Sequence, residues 1–351
     1  MSPMTIAIAS YQRRGPLLRL LSGLDAQLAG SAELRRDLSV IVVLDGSDDG
    51  SREGVEAGSW QVPVRVHWQP NRGLAAARNV GLEAAGDGLV WFLDDDLLPS
   101  AGLVARHRGA HGTGPGHIVV GPCRIPTDAG APARLVRWWD AFYEAQGETI
   151  ERFDRFTTAN ASGPAALFRA VGGYDESFVT YGLEDYELAI RLLAAGTSLR
   201  FDPAAVAWHP DVPPQSVLVA RERDLGRNAT HLARLHPATV DRLFPEGPVS
   251  PPRRFLRRLR LRRPASLMAV SRLAYGLHRV AGPVHATTAR RAEYLARAAA
   301  HAAGVAEGDP AGTLLDRVLG YPTGTGAERS RARASRQPPT SPTSSDTTIS
   351  R

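Results

Sequence analysis

At 351 residues and 43% hydrophobic content, the chain can bury one large core or two ordinary ones. A single cysteine, Cys123, excludes an internal disulfide. The absence of any lysine excludes Schiff-base chemistry, a P-loop lysine and a lysine general base, and leaves every cationic task to 42 arginines. The net charge of +6 is local: eleven arginines and no acid stand between residues 247 and 292, so the remainder carries a net −5 and its composition is no sign of nucleic-acid binding. The opening MSPMTIAIAS lacks the charged n-region and long apolar run of a signal peptide, and no window reaches the roughly 20 apolar residues of a spanning helix. A cytoplasmic protein is expected.

Residues 5–10, TIAIAS, predict a short strand followed by the loop YQRRG. Pro16 suits a first helical turn, with Leu17, Leu20, Leu21, Leu24 and Leu28 at helical spacing after it. SVIVVL, residues 39–44, predicts a second buried strand ending in the polar turn DGSDDGS, which begins at Asp45. VPVRVHW predicts a third strand, and LAAARNVGLEAAG a helix of small residues stopped by Gly86. The alternation is that of a parallel sheet with right-handed crossovers.

The next stretch, LVWFLDDDLLP over residues 89–99, runs five apolar residues into three carboxylates. The run predicts a strand buried on both faces. Burying an unpaired carboxylate costs roughly several kcal/mol, so residues 94–96 must lie where the strand leaves the sheet, the edge at which open α/β sheets bind ligands. On an extended segment Asp94 and Asp96 share a side. Their repulsion is relieved by a divalent cation such as Mg2+ or Mn2+; the plainer reading is a solvated acidic turn. Asp45 and Asp94 thus end strands on one sheet edge. DGSDDGS lacks the glycine spacing of a dinucleotide site, so a nicotinamide cofactor is disfavoured.

TIAIASYQR, VIVVLDGSDDGS, PNRGLAAARNVGLEAA and WFLDDD, in this order, resemble the successive motifs of family-2 glycosyltransferases of the GT-A fold, over residues 5–210. Further on, GGYDESFVTYGLEDYEL resembles the GGFDE…GEDxEL segment of the same family, shared with a galactosyltransferase-type C-terminal motif. The resemblance implies a Rossmann-like, mostly parallel sheet flanked by helices. It also implies a donor that is a nucleotide-diphosphate sugar, with a UDP-sugar expected. Carried over residue by residue, Asp45 meets the nucleoside, Asp94 and Asp95 belong to the donor contacts, and Asp94 and Asp96 reach the metal. Arg78 stands near the diphosphate, Asp185 is the general base, and Glu184 holds the acceptor. A histidine after the Glu-Asp helix can complete the metal shell, which here is His209. The family often carries two acids before the Gly-Ser of the second-strand loop; Leu44 takes the first place here. Each residue has a plainer alternative: a helix-capping turn for Asp45, a solvated helix arginine for Arg78, helix-start acids for Glu184 and Asp185, a packed or exposed imidazole for His209.

Residues 99–125 predict a helix and one strand, HIVVGPCRI, with Cys123 in the core. Residues 126–156 read as irregular, with Trp138, Trp139, Phe142 and Tyr143 clustered either as core or as a sugar-stacking platform. EDYELAIRLLAAG predicts a helix stopped by Gly196, with Glu187 and Arg191 as an i,i+4 pair. SLRFDP and VAWHP are short extended pieces, and residues 215–236 a helix. PPRRFLRRLRLRRP holds seven arginines over residues 253–263, which suit an anionic membrane surface or a solvated face better than nucleic acid; helices follow to Leu319. From residue 321 the Ser, Thr, Pro and Arg bias predicts disorder. The expected division is 1–125 for the nucleotide-sugar half, 126–245 for the acceptor half, 246–322 for a basic helical extension and 323–351 for a disordered tail.

The expectation is therefore an inverting transferase moving a sugar to a hydroxyl of a glycan, lipid-linked or small-molecule acceptor. A divalent cation would assist the leaving group, and the protein would be cytoplasmic, with peripheral attachment at the inner membrane face as one option. Two rivals remain: a metal-dependent nucleotidyltransferase, which would normally show a Gly-rich basic loop after the first strand, and a non-catalytic nucleotide-sugar-binding protein.

Overall fold

The chain opens as the hydrophobic pattern requires: β1 (Met4–Ser10), α1 (Arg14–Leu28), α2 (Ala32–Arg35), β2 (Leu38–Asp45), α3 (Ser51–Glu56), β3 (Val64–Gln69), α4 (Leu74–Ala84) and β4 (Leu89–Leu93). The four strands pair in parallel in the order β3-β2-β1-β4. The computed structural model describes residues 2–111, 116–131, 133–245, 248–282 and 285–320. The tail expected from residue 323 onward lies outside the described residues, as does the side chain of Trp138.

After the acidic turn come β5 (Leu98–Pro99), α5 (Leu103–Gly109), β6 (Ile118–Val120), β7 (Cys123–Arg124), α6 (Ala133–Glu144), β8 (Asn160–Pro164), α7 (Ala165–Ala170), α8 (Glu184–Ala194), β9 (Leu199–Phe201) and β10 (Ala207–Trp208). β8 runs antiparallel to both β4 and β6, and β9 is parallel to β6, which completes a seven-stranded, mostly parallel sheet. A second sheet has three short strands in the order β5-β10-β7.

Two expectations are corrected here. The single strand HIVVGPCRI is broken into β6 and β7, which belong to different sheets. At the break, a Cβ on Gly121 would stand 2.1 Å from the Ala205 carbonyl oxygen, and Pro122 has no N–H to continue the ladder. The segment read as irregular contains the twelve-residue helix α6. Its Trp139 and Tyr143 sit at i,i+4 and pack edge to face, in contact with the main core.

β4 is buried on both faces, as its composition demands. Trp91 faces the layer of α1 with Leu17, Leu20 and Leu24, while Val90 and Phe92 face the layer of α4, α7 and α8 with Leu82, Phe168 and Leu188. A third core lies among α9 (Gln215–Leu235), α10 (Val240–Leu243), α11 (Pro251–Arg258), α12 (Pro264–Ala281), α13 (Ala286–Gly308) and α14 (Thr313–Leu319). α9 and α13 come together through facing glycines. A Cβ on Gly304 would meet the Arg223 carbonyl oxygen at 1.9 Å, and one on Gly226 the His301 carbonyl oxygen at 2.2 Å. Glu307 accepts from Arg223 and Arg227 across that contact, both at 2.6 Å.

The loop before α8 ties this helical core to the sheet. Asn228 of α9 donates to the carbonyls of Thr180, Tyr181 and Gly182, the last at 2.7 Å. Leu183 packs against the helical core and takes a left-handed conformation, φ 74°, directly before Glu184.

Candidate active site

The carboxyl ends of β1, β2 and β4 gather the acids at one sheet edge. The chain turns at once after Leu93: Leu97 N donates to Asp94 O at 3.3 Å. Asp94 and Asp96 therefore do not share a side, because alternation holds only while a segment stays extended. Instead the three aspartates divide between two arginines.

Arg78, on α4, is buried and collects three carboxylates. Its Nη2 donates to Asp94 Oδ1 at 2.9 Å, and its Nη1 to Glu184 Oε1 at 2.9 Å and Asp185 Oδ1 at 3.1 Å. The Tyr174 ring lies under it, with its centroid 5.5 Å from Cζ. Against the downward push of burial, the charges of Asp185 and Asp94 hold this guanidinium protonated well above its ordinary range. Burial first, then the neighbouring Asp185 charge, push Glu184 upward, with Arg78 opposing.

Asp185 sits at the start of α8 and uses the four acceptor positions of a carboxylate. Besides Arg78, its Oδ1 takes the Thr158 hydroxyl at 2.5 Å, and its Oδ2 takes Thr158 N and the Thr157 hydroxyl, both at 3.2 Å. Tyr174 donates its hydroxyl to Thr158 Oγ1 at 2.7 Å. The Glu-Asp pair is thus fixed from beneath by residues just before β8.

Arg13, in the loop after β1, donates from Nη1 to Asp95 Oδ1 at 3.1 Å and to Asp96 Oδ2 at 2.5 Å. Asp95 is buried under it, and its Oδ2 meets no hydrogen-bond partner. Burial lifts Asp95 to about 7, with Arg13 pulling the other way. Asp96 goes in the opposite direction: although burial pushes up, His209 and Arg13 hold it below the usual carboxylate range. His209 Nδ1 stands 3.5 Å from Asp96 Oδ1, and the Trp139 ring abuts the imidazole edge to face at 5.8 Å.

Asp45 ends β2 and is buried. Its Oδ1 accepts from Gln69 Nε2 at 2.7 Å and Arg72 N at 2.8 Å, and its Oδ2 from Gly73 N at 2.9 Å. It therefore caps the approach to α4, which has no side-chain cap of its own.

Among the described residues no three His, Cys, Asp or Glu side chains converge as a metal cage. Asp96 and His209 converge as a pair, offering one carboxylate oxygen and one imidazole nitrogen. That donor set fits a hard or borderline divalent cation whose other ligands are phosphate oxygens and water. Asp94 points to Arg78, so the three expected ligands are not gathered in one cluster. Reading the sequence missed Arg13, Thr157, Thr158 and Tyr174. The signal for Arg13 was a basic loop immediately after the first strand. The signal for the threonines was a hydroxyl pair abutting the strand beside the acids.

Residues 5–171 match the family described as Glycosyl transferase family 2, and residues 150–207 match the N-terminal domain of galactosyltransferase. The chain is similar to the validoxylamine A glucosyltransferase of Streptomyces hygroscopicus subsp. jinggangensis, at 29% identity over 271 residues, covering 69% of this chain and 63% of that one. It is similar to the pre-mycofactocin glycosyltransferase of Mycobacterium tuberculosis, at 33% identity, covering 58% of this chain and 44% of that one. It thus spans less than two thirds of the length of these curated relatives. A mannosyltransferase from Pyrobaculum calidifontis, solved with GDP-Man and Mn2+, shares the fold at TM-score 0.50 and 17% identity, covering 95% of this chain and 79% of that one.

Proposed function

We propose that the chain, whose residues 5–171 match glycosyl transferase family 2, transfers a sugar, with inversion, from a nucleotide-diphosphate sugar to an acceptor hydroxyl. One observation carries the reading: a single buried arginine, Arg78, joins the acid of the donor-side strand, Asp94, to the Glu184–Asp185 pair. A nucleotidyltransferase has no use for that second pair of acids.

The donor lies along the carboxyl ends of β1, β2 and β4, with Asp45 toward the nucleoside and Asp94 toward the ribose and diphosphate. Asp95, buried beneath Arg13, sets that arginine rather than meeting the donor. Asp96 and His209 would hold a divalent cation, Mn2+ or Mg2+. When bound, that cation neutralises charge on the departing diphosphate. Arg13 places a further positive charge at the same edge.

Asp185 takes the proton of the acceptor hydroxyl. The Thr157 hydroxyl, one of its two longest partners at 3.2 Å, rotates away and frees an Oδ2 lone pair for the incoming hydroxyl. As the proton moves to Asp185, the acceptor oxygen forms its bond to the anomeric carbon. The bond from that carbon to the diphosphate oxygen breaks, and its electron pair leaves with the diphosphate. A single displacement inverts the centre, so an α-linked donor yields a β-glycoside. Glu184 keeps the acceptor and Arg78 in register. We assign the arginines of residues 253–263 to an anionic membrane surface, which suits a lipid-linked acceptor.

The test is release of nucleoside diphosphate from a panel of UDP-, GDP- and TDP-sugars, with Mn2+ and then with excess chelator. Release from at least one donor, lost on chelation, is expected. Release that persists in chelator removes the metal, and no release from any donor removes the transfer.

A further inference from the structure

We propose that the outer face of α12 inserts into an anionic lipid bilayer, with Leu273, Leu277 and Val280 as the inserted wedge. The proposal rests on the assignment of residues 253–263 to a membrane surface and extends it to a second element of different chemistry.

α12 is apolar on two faces. Its inner face buries Leu267, Ser271 and Ala274 against α13, where the Ser271 hydroxyl donates to Ala296 O at 2.8 Å. Its outer face shows Leu273 at 75% exposure, Leu277 at 51% and Val280 at 76%. The spacing of four and then three places them on one helical stripe. α12 is half covered by protein, and no helix among the described residues is long and apolar enough to cross a bilayer. Lying in the interface plane is the remaining arrangement for such a face.

The surroundings choose the lipid. Exposed Arg272 and Arg279 flank the stripe, and exposed Arg254, Arg258, Arg260 and Arg263 precede it, interleaved with Phe255 and Leu259, each 45% exposed. No acid occurs in the sequence from residue 248 to 292. Arginine above and aliphatic side chains below match an anionic headgroup layer over acyl chains. A second copy of the chain fits worse, because a two-fold contact through this face would set the same arginines against each other.

The test is co-sedimentation of the full chain with phosphatidylcholine vesicles and with vesicles containing phosphatidylglycerol, at low and high salt. The comparison is the triple variant Leu273→Ser, Leu277→Ser, Val280→Ser, whose positions are exposed and whose folding is checked by thermal melting. Leu277→Trp supplies a depth reporter through its emission shift and quenching by brominated acyl chains. The parent is expected on anionic vesicles only, with affinity falling about tenfold or more in the triple variant. The indole emission of Leu277→Trp is expected to shift to the blue and to be quenched. Equal binding of parent and triple variant overturns the wedge and leaves the arginines acting alone. No parent binding at low salt overturns both the wedge and the surface assignment of residues 253–263. A parent dimer that dissolves in the triple variant, without vesicle binding, gives the face to a second copy instead. None of these outcomes bears on diphosphate release from soluble donors, so the two readings fail separately.

Discussion

Arg78 is where sequence logic and geometry diverge most usefully. Placed near the diphosphate by its motif, it forks instead to Asp94, Glu184 and Asp185. Arg78→Lys keeps the charge and loses the planar fork. The turnover rate should fall by about 100-fold while donor affinity stays within about threefold. Weaker donor binding with an unchanged rate would make Arg78 a diphosphate contact. Asp185→Asn retains the size and one acceptor oxygen without basicity, so single-turnover transfer should drop about 100-fold with donor binding unchanged by calorimetry. A near-normal rate would move the base elsewhere. Asp95 makes a separate prediction. Its folded value of about 7 lies above the ordinary 3.8, so across that window the folded chain holds a proton that the unfolded chain has released. Stability therefore falls as pH rises through that range and levels off above it. Asp95→Asn should lose less melting temperature between about pH 5 and pH 7 than the parent does. Parallel slopes would mean that Asp95 is ionised throughout.

At the scale of elements, the contact of α9 with α13 is the most constrained. No side chain fits at Gly304, whose Cβ would overlap the Arg223 carbonyl. Gly304→Val should force the helices apart and cost about 1–3 kcal/mol, read as a lower denaturation midpoint. An unchanged midpoint would mean that α13 can shift without loss. The legibility of the chain varied in the same way. β1, β2 and β4 were readable because each is a short apolar run closed by a polar turn, and α1 and α8 because one face carries the leucines. α6 was not, because its aromatic residues spread over neighbouring positions and obscure the helical period. β7 was not, because two residues of strand carry no pattern. Asp45, Asp96 and Asp185 were readable as acids at element ends. The way Arg78 joins Asp185 to Glu184 and Asp94 was not, since a pairing across 106 residues leaves no local trace.

For the molecule as a whole, residues 251–320 complete the core beneath the loop that presents Glu184 and Asp185. Truncation after residue 245 leaves every proposed site residue in the chain but exposes the inner face of α9. Transfer should be lost and the product should aggregate, as gel filtration would show. A soluble, active truncation would make the extension independent of the site.

Leu183 gives that dependence a quantitative form. Its left-handed backbone is an arrangement that costs a residue with a side chain on the order of 1–3 kcal/mol, and it persists because its side chain is seated among the C-terminal helices while its neighbour Glu184 is held by Arg78. One residue therefore reports to two environments. By thermodynamic linkage, any lipid binding that steadies α12 and α13 would favour the competent setting of Glu184 and Asp185. Occupancy of the active site would then tighten lipid binding by the same factor. Measuring vesicle affinity with and without saturating donor would show that reciprocity. Equal affinities would mean that the seat of Leu183 is already rigid in the free protein.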